Sequence, residues 1–209
     1  MPSHLPLKRA NCADLKLIHS FWKALSPTEL YMLSGTLYAH PLRLKQLRQD
    51  FRALQDPPEG IYCFYDSGQL SESGPQEIIP TGQAGPGGWK RPLVSRFWPL
   101  WRLSHPGSEG RGNVLGCFQI RKREASTAML AAVFIRPEYR RMGHARMMLK
   151  AGFHEARRLG LSRLQLNVFS SNPAIDLYLS LGFRRAGSKK VQLPDGRTVI
   201  KVFMQIDLG

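Results

Sequence analysis

Eight apolar residues without a break, Ala128-Met-Leu-Ala-Ala-Val-Phe-Ile135, run directly into Arg136-Pro137. A run this short, closing on Val, Phe and Ile, reads as a strand buried on both faces. Pro137 has no N–H to give to a ladder, so regular pairing stops there. From Gly143 to Leu159 the hydrophobic period changes. Ala145, Met148, Leu149, Gly152, Phe153, Ala156 and Leu159 fall on one side, and Arg146, Lys150, His154 and Arg157 on the other, as in an amphipathic helix. A buried strand therefore turns sharply into a helix, with Gly143 and several arginines at the turn.

That junction has a chemical use. The first N–H groups of a helix have no acceptor within it, and the helix dipole makes that end positive. With a glycine allowing close approach, the backbone at residues 141–145 suits a phosphate or pyrophosphate, assisted by Arg140, Arg141 or Arg146. A basic helix start that binds nothing has the same local sequence, so the stretch alone does not decide.

Downstream, residues 164–169 alternate, with Leu164, Leu166 and Val168 on one face, which predicts a strand. Asn172-Pro173 opens a short helix as N-cap and first helical residue. Ile175, Tyr178 and Leu179 share its face, Gly182 closes it, and Phe183 begins another strand. Strand, helix, strand, helix, strand predicts parallel pairing through crossover helices.

These residues carry a resemblance. Arg140-x-x-Gly143-x-Ala145, with its lead-in from Ile135, resembles the Arg/Gln-x-x-Gly-x-Gly/Ala motif of the GNAT superfamily of N-acetyltransferases. Residues 172–183, with Asn172, Ala174-Ile175, Tyr178 and Gly182-Phe183, resemble that family's second signature, and the likeness covers about residues 126–186. The resemblance implies an α/β (α+β) fold: a mixed, mostly antiparallel seven-stranded sheet with about four helices and a splayed central parallel pair. It also implies acetyl-CoA as cosubstrate. The backbone of Val133, Phe134 and Ile135 would pair with the pantetheine arm as an added strand does, and an N–H there would polarise the thioester carbonyl. Arg140, Arg141, Met142, Gly143, His144, Ala145 and Arg146 would hold the pyrophosphate. Tyr178 would protonate the departing thiolate, since a phenol is protonated at neutral pH; an aromatic on a helix face also serves as plain core.

Two departures from the family pattern matter. Asn172 lies six residues before Tyr178 where the family has seven, so Ser171 and Asn172 both stand as the cofactor-facing residue. Arg141 and Ala145 stand where glycine is frequent. No base is evident. The strand at 127–135 has no acidic residue, Glu138 lies in the turn, and His144 holds the motif's variable place. Glu29, in the region that borders the acceptor in such proteins, is the remaining suggestion.

The rest of the 209 residues fits one acetyltransferase-like domain with an insertion. Residues 5–10 and 61–65 predict strands. Asn11 or Asp14 caps a helix reaching Leu25, and Ser26-Pro27-Thr28-Glu29 is a capping box opening the next, which breaks before Pro41 and resumes over 42–54. Residues 114–121 and 127–135 predict a hairpin, as do 189–193 and 198–206 around Pro194-Asp195-Gly196. Residues 67–112 hold nine Gly and six Pro in 46 positions, too many for regular elements, and three of the four tryptophans. They predict a long loop, either packing its aromatics inward or serving as a lid or docking surface.

Cys12, Cys63 and Cys117 are too far apart for a disulfide framework or zinc site, which predicts a reducing, cytoplasmic setting. No apolar run predicts a signal segment or a membrane span, and no metal site is predicted. The net charge of +15 is uneven: residues 113–209 hold 17 Lys/Arg against 6 Asp/Glu. Phosphates of the cosubstrate account for part of this excess. A cluster at Arg184, Arg185, Lys189 and Lys190 is either a solvated face or a surface for an acidic or nucleic-acid partner. The sequence therefore predicts N-acetyl transfer from acetyl-CoA to a primary amine on a small molecule or protein. The alternative is a non-catalytic CoA-, RNA- or protein-binding module of the same fold.

Overall fold

A computed structural model describes residues 7–35, 37–54, 56–66 and 113–209. The expectations for residues 67–112 lie outside the described residues. Seven strands form one sheet in the order β1-β2-β3-β4-β5-β7-β6. They are β1 (Leu7–Arg9), β2 (Gly60–Tyr65), β3 (Val114–Lys122), β4 (Thr127–Ile135), β5 (Arg163–Phe169), β6 (Arg184–Gln192) and β7 (Thr198–Asp207). Only β4 and β5 pair in parallel. The described helices number five rather than about four: α1 (Cys12–Trp22), α2 (Pro27–Ser34), α3 (Leu44–Ala53), α4 (His144–Arg158) and α5 (Ala174–Ser180).

The two cores lie on opposite faces of the sheet. Leu15, Ile18, Trp22, Leu30 and Leu47 from the first three helices bury against Ile61, Cys63 and Cys117. Met148, Leu149, Phe153, Ile175 and Tyr178 from α4 and α5 bury against Phe64, Phe118, Leu164, Leu166 and Val168. Each fully buried side chain of this size contributes about 1.5–3 kcal/mol, so two helical layers hold the sheet from both sides.

Local chemistry sets the helix ends. The Asn11 side chain accepts from the N–H groups of Ala13 (2.8 Å) and Asp14 (3.1 Å), and Asp14 accepts from the Asn11 N–H. Asn11 is thus the cap and Asp14 its reciprocal partner. The helix stops at Trp22, short of Leu25, because Ser26 must be extended to cap α2 and the intervening residues make the turn. Ser26 and Glu29 form the expected capping box. Both α4 and α5 end in paired closing bonds around a left-handed glycine. Gly160 donates to Arg157 and Leu161 to Ala156, while Gly182 donates to Leu179 and Phe183 to Tyr178.

Two features differ from a simple reading of the elements. β4 contains a bulge opposite Phe118, where Ala132 takes φ +48°. Before it, Ala128 and Leu130 face the α4 core; after it, Ala132 and Phe134 face the α1–α3 core, because one extra residue swaps the faces of a strand. Secondly, the crossover from β5 through α5 does not place β6 beside β5. β7 folds back between them, since β7 brings the buried Val202 and Met204 to the inner position while β6 is exposed along nearly its whole length.

Candidate functional site

β4 and β5 pair over three positions only: Thr127 with Arg163, Ala128 with Leu164 and Met129 with Gln165. Beyond these, β4 remains paired to β3 as far as Ile135, and β5 remains paired to β7 as far as Phe169. The two strands part, and each leaves one edge unpaired along a cleft. Arg136 donates its N–H to Leu115 of β3, so by strand alternation the N–H and C=O of Ile135 point the other way, into the cleft. The Ile135 carbonyl accepts from Arg140 Nε at 2.9 Å. Its N–H has no partner among the described residues.

The cleft ends at the loop before α4. Arg136 is fixed there: it pairs with Glu138, donates to the Val114 carbonyl and lies over the Phe21 and Tyr139 rings at 4.7 and 5.1 Å. Arg141 (φ +65°) and Gly143 (φ +82°) turn the chain into the helix. Gly143 is the N-cap and supplies no side-chain cap. A Cβ built on it meets nothing within 4 Å. None of the N–H groups of residues 141–146 donates to another described residue. A 15-residue helix thus presents its positive end at the end of the cleft, with donors that no described residue fills.

The side chains expected around this loop take separate roles. Arg140 curls back along β4, with its guanidinium 5.7 Å from the Phe134 ring. Phe134 is buried against Phe21 and Trp22, Val133 and Ala145 are half-buried against the α4 core, and Arg141 and Met142 are exposed. His144 sits between the rings of Phe64 and Tyr139, with Nδ1 enclosed and unpartnered. Arg146 donates to Ser180 Oγ at 2.7 Å, tying the first turn of α4 to the last of α5. Beyond that tie, Lys150, His154 and Arg157 border a groove.

On α5, the Asn172 side chain accepts from the Ala174 N–H at 2.9 Å, so its carbonyl is used to start the helix. Ser171 is exposed. The Tyr178 ring is 7% exposed and meets Phe183 edge-on at 5.7 Å. Burial pushes its phenol above the ordinary range, which keeps the proton on oxygen at neutral pH. Its hydroxyl has no partner among the described residues and is not sealed in.

Glu29 does not fit a base. Its Oε2 accepts from both the N–H and the hydroxyl of Ser26, and the backbone bond holds its carboxyl below the usual range. A stabilised, exposed carboxylate is a weaker proton acceptor. The sequence reading missed a cluster on the opposite side of the opening. Tyr31 of α2 and Phe169 of β5 lie 5.9 Å apart, and Lys201 Nζ lies 5.4 Å from each ring. Only the sheet register, Phe169 opposite Lys201, brings these residues together, and no local motif announces it.

Among the described residues, no group of three or more His, Cys, Asp and Glu is arranged to hold a metal. No helix among them is long and apolar enough to cross a membrane. Cys63 and Cys117 are opposed across β2 and β3, free, and pushed up in pKa by burial, so neither is a ready thiolate nucleophile.

Residues 83–183 match the family model described as the acetyltransferase (GNAT) family. No curated protein matches the chain in sequence. Among solved structures, yncA from Salmonella typhimurium with its cofactor acetyl-CoA aligns at TM-score 0.64 and 18% identity, over 99% of this chain and 95% of that one. Spermidine N-acetyltransferase from Vibrio cholerae, in complex with CoA and spermine, aligns at 0.64 and 17%, over 97% and 94%. Ribosomal-protein-alanine N-acetyltransferase from Brucella melitensis aligns at 0.63 and 19%, over 96% and 98%. At these identities the likeness is one of fold.

Proposed function

Residues 83–183 carry the acetyltransferase (GNAT) family domain, and from that premise we propose that the chain moves the acetyl group of acetyl-CoA directly to a primary amine. The observation that carries this reading is the parallel pair that parts after three positions beside a helix start with unfilled N–H groups. The residues present suit the cosubstrate. The backbone N–H groups of residues 141–145 would hold its pyrophosphate, with Gly143 leaving room for the oxygens. The edge at Val133 and Ile135 would take the pantetheine amides, and the Ile135 N–H is the donor suited to a thioester carbonyl. Arg140 supports this indirectly, because its bond to the Ile135 carbonyl fixes that peptide. Arg146 and the basic groove beside it would meet the remaining phosphate charge.

Bound acetyl-CoA supplies an acyl group activated as a thioester. The amine lone pair forms the new N–C bond as the C–S bond breaks, and the Tyr178 hydroxyl gives its proton to the departing sulfur. Among the described residues, the acidic side chains in the flanking segments are committed, Glu29 to Ser26 and Glu138 to Arg136. The amine therefore loses its proton to water, and Tyr178 regains one the same way. Titration calorimetry with acetyl-CoA, then thiol release across an amine panel, tests the reading. Absence of cofactor binding at millimolar concentration would overturn it.

A further inference from the structure

The α1–α3 side of the cleft carries a charge that no carboxylate among the described residues balances. This inference rests on the acetyltransferase reading, which assigns the loop before α4, and hence the α4–α5 face, to the cosubstrate. The amine then approaches from the α1–α3 face, where α2 spans from β4 to β5. At the end of β4 stands Phe134, with Phe21 6.3 Å away and Arg140 over its ring. At the end of β5 stands Phe169 with Tyr31, and Lys201 is held against both rings. Thr28 donates to Asp195 at 3.0 Å, fastening α2 to the β6–β7 turn. The Lys201 ammonium is half-buried and has no carboxylate partner among the described residues. Opposite it in the ladder stands another cation, Lys189. Glu29, the one acid on α2, is spent on Ser26.

A cation partly stripped of water, and answered only by ring faces, binds an anion better than water does. It repels a second cation at the same range. We propose that the acceptor is a primary amine bearing a carboxylate within a few bonds, with Lys201 as the counter-ion that selects it. The rings of Tyr31 and Phe169 fix the ammonium in place, so Lys201 determines specificity and takes no part in the proton transfers.

The test uses the full chain with saturating acetyl-CoA and matched acceptor pairs. These are glycine against glycinamide, and C-terminally amidated tetrapeptides starting with Glu against those starting with Gln or Lys, with spermidine as the polycation. The wild-type protein should favour the carboxylate member of at least one pair by about tenfold in kcat/KM, the size expected from one charge-assisted contact. The pair that shows it separates a free amino acid from an acidic chain terminus. Lys201→Gln should erase the preference through the acceptor KM while leaving the KM for acetyl-CoA unchanged. Lys201→Arg should restore it, and Lys201→Glu should turn it toward spermidine. Wild-type protein that acetylates glycinamide, the Gln peptide or spermidine as well as the acids would overturn the inference and leave the enzyme standing. So would a preference that survives Lys201→Gln. Wild-type protein that binds no acetyl-CoA would remove the enzyme reading itself, and this inference with it.

Discussion

Replacing Gly143 by alanine separates the two demands on that position, backbone conformation and open space. At φ +82° an L-residue is strained, which costs on the order of 1 kcal/mol. The new methyl meets nothing within 4 Å, so no packing loss adds to this. For a chain of this size the cost lowers the melting temperature by about 2–4 °C. Ligand binding should suffer far more, because the methyl stands in the space that gives access to the N–H groups of residues 141–146. Losing one or two charge-assisted bonds there costs roughly 1.5–3 kcal/mol each, so the acetyl-CoA Kd should rise at least about tenfold. Calorimetry with acetyl-CoA and with S-acetylpantetheine, which lacks the pyrophosphate, isolates the cause. The substitution should weaken the first ligand and leave the second within about twofold, a difference well under 1 kcal/mol. Equal losses for both ligands, or no loss for acetyl-CoA, would refute the assignment of this helix start to phosphate.

Tyr178→Phe should lower kcat by about 10²–10⁴, the usual share of a general acid, with the acetyl-CoA Kd nearly unchanged; an unaltered kcat in a steady-state assay would remove the phenol from the reaction. Glu29→Ala should cost about 1 kcal/mol by removing the acceptor of the capping box while the pH–rate profile keeps its shape. Because the folded carboxyl of Glu29 is held below its ordinary value, its stabilisation is present above the unfolded carboxylate pKa and is lost as pH falls through the folded one. Melting curves of the two proteins should therefore differ at neutral pH and converge in acid. Gly116→Ala should destabilise by about 1–3 kcal/mol in denaturant titrations, since its Cβ would lie 2.5 Å from both the Phe134 carbonyl and Ile135 Cδ1. The carbonyl belongs to β4 itself and cannot swing aside.

How much of this was legible in sequence depends on the range of the interactions involved. The strand ending at Ile135, the helix beginning after Gly143 and the glycines closing α4 and α5 follow from a few neighbouring residues each. The loop before α4 is equally local, which is why one hexapeptide points to it. Side-chain direction was less readable. Arg140 stands in the motif whose family resemblance implies phosphate binding, yet its guanidinium runs along β4 to the Ile135 carbonyl, because a backbone acceptor and the Phe134 ring lie within its reach. Lys201, Tyr31 and Phe169 are separated by 138 and 32 positions, and only the placement of β7 between β5 and β6 brings them together. That placement follows from competition between strands: Val202 and Met204 take the covered position, and the charged β6 is left at the edge, where lysines and arginines also discourage pairing with other chains.

The opening itself has a local cause. β5 keeps its pairing with β7 throughout without a register shift, whereas the pairing of β4 with β3 is interrupted by the bulge, so the bend belongs to β4. Its last pair with β5 is at Met129, and the bulge follows within three residues, where Ala132 adopts φ +48°. A bulge bends its strand and increases the local twist, and here it also moves Phe134 to the α1–α3 face while Ile135 stays with α4. One inserted residue thus parts the strands, aims the Ile135 N–H into the gap, and seats Phe134 on the α1–α3 face. The strain of a positive φ at alanine, on the order of 1–3 kcal/mol, is the stability cost of that geometry. It follows that Ala132→Gly, which relieves the strain without adding bulk, should raise stability by up to about 1 kcal/mol and leave acetyl transfer intact. Loss of both in thermal melts and rate assays would mean that the methyl, not the backbone turn, shapes the cleft.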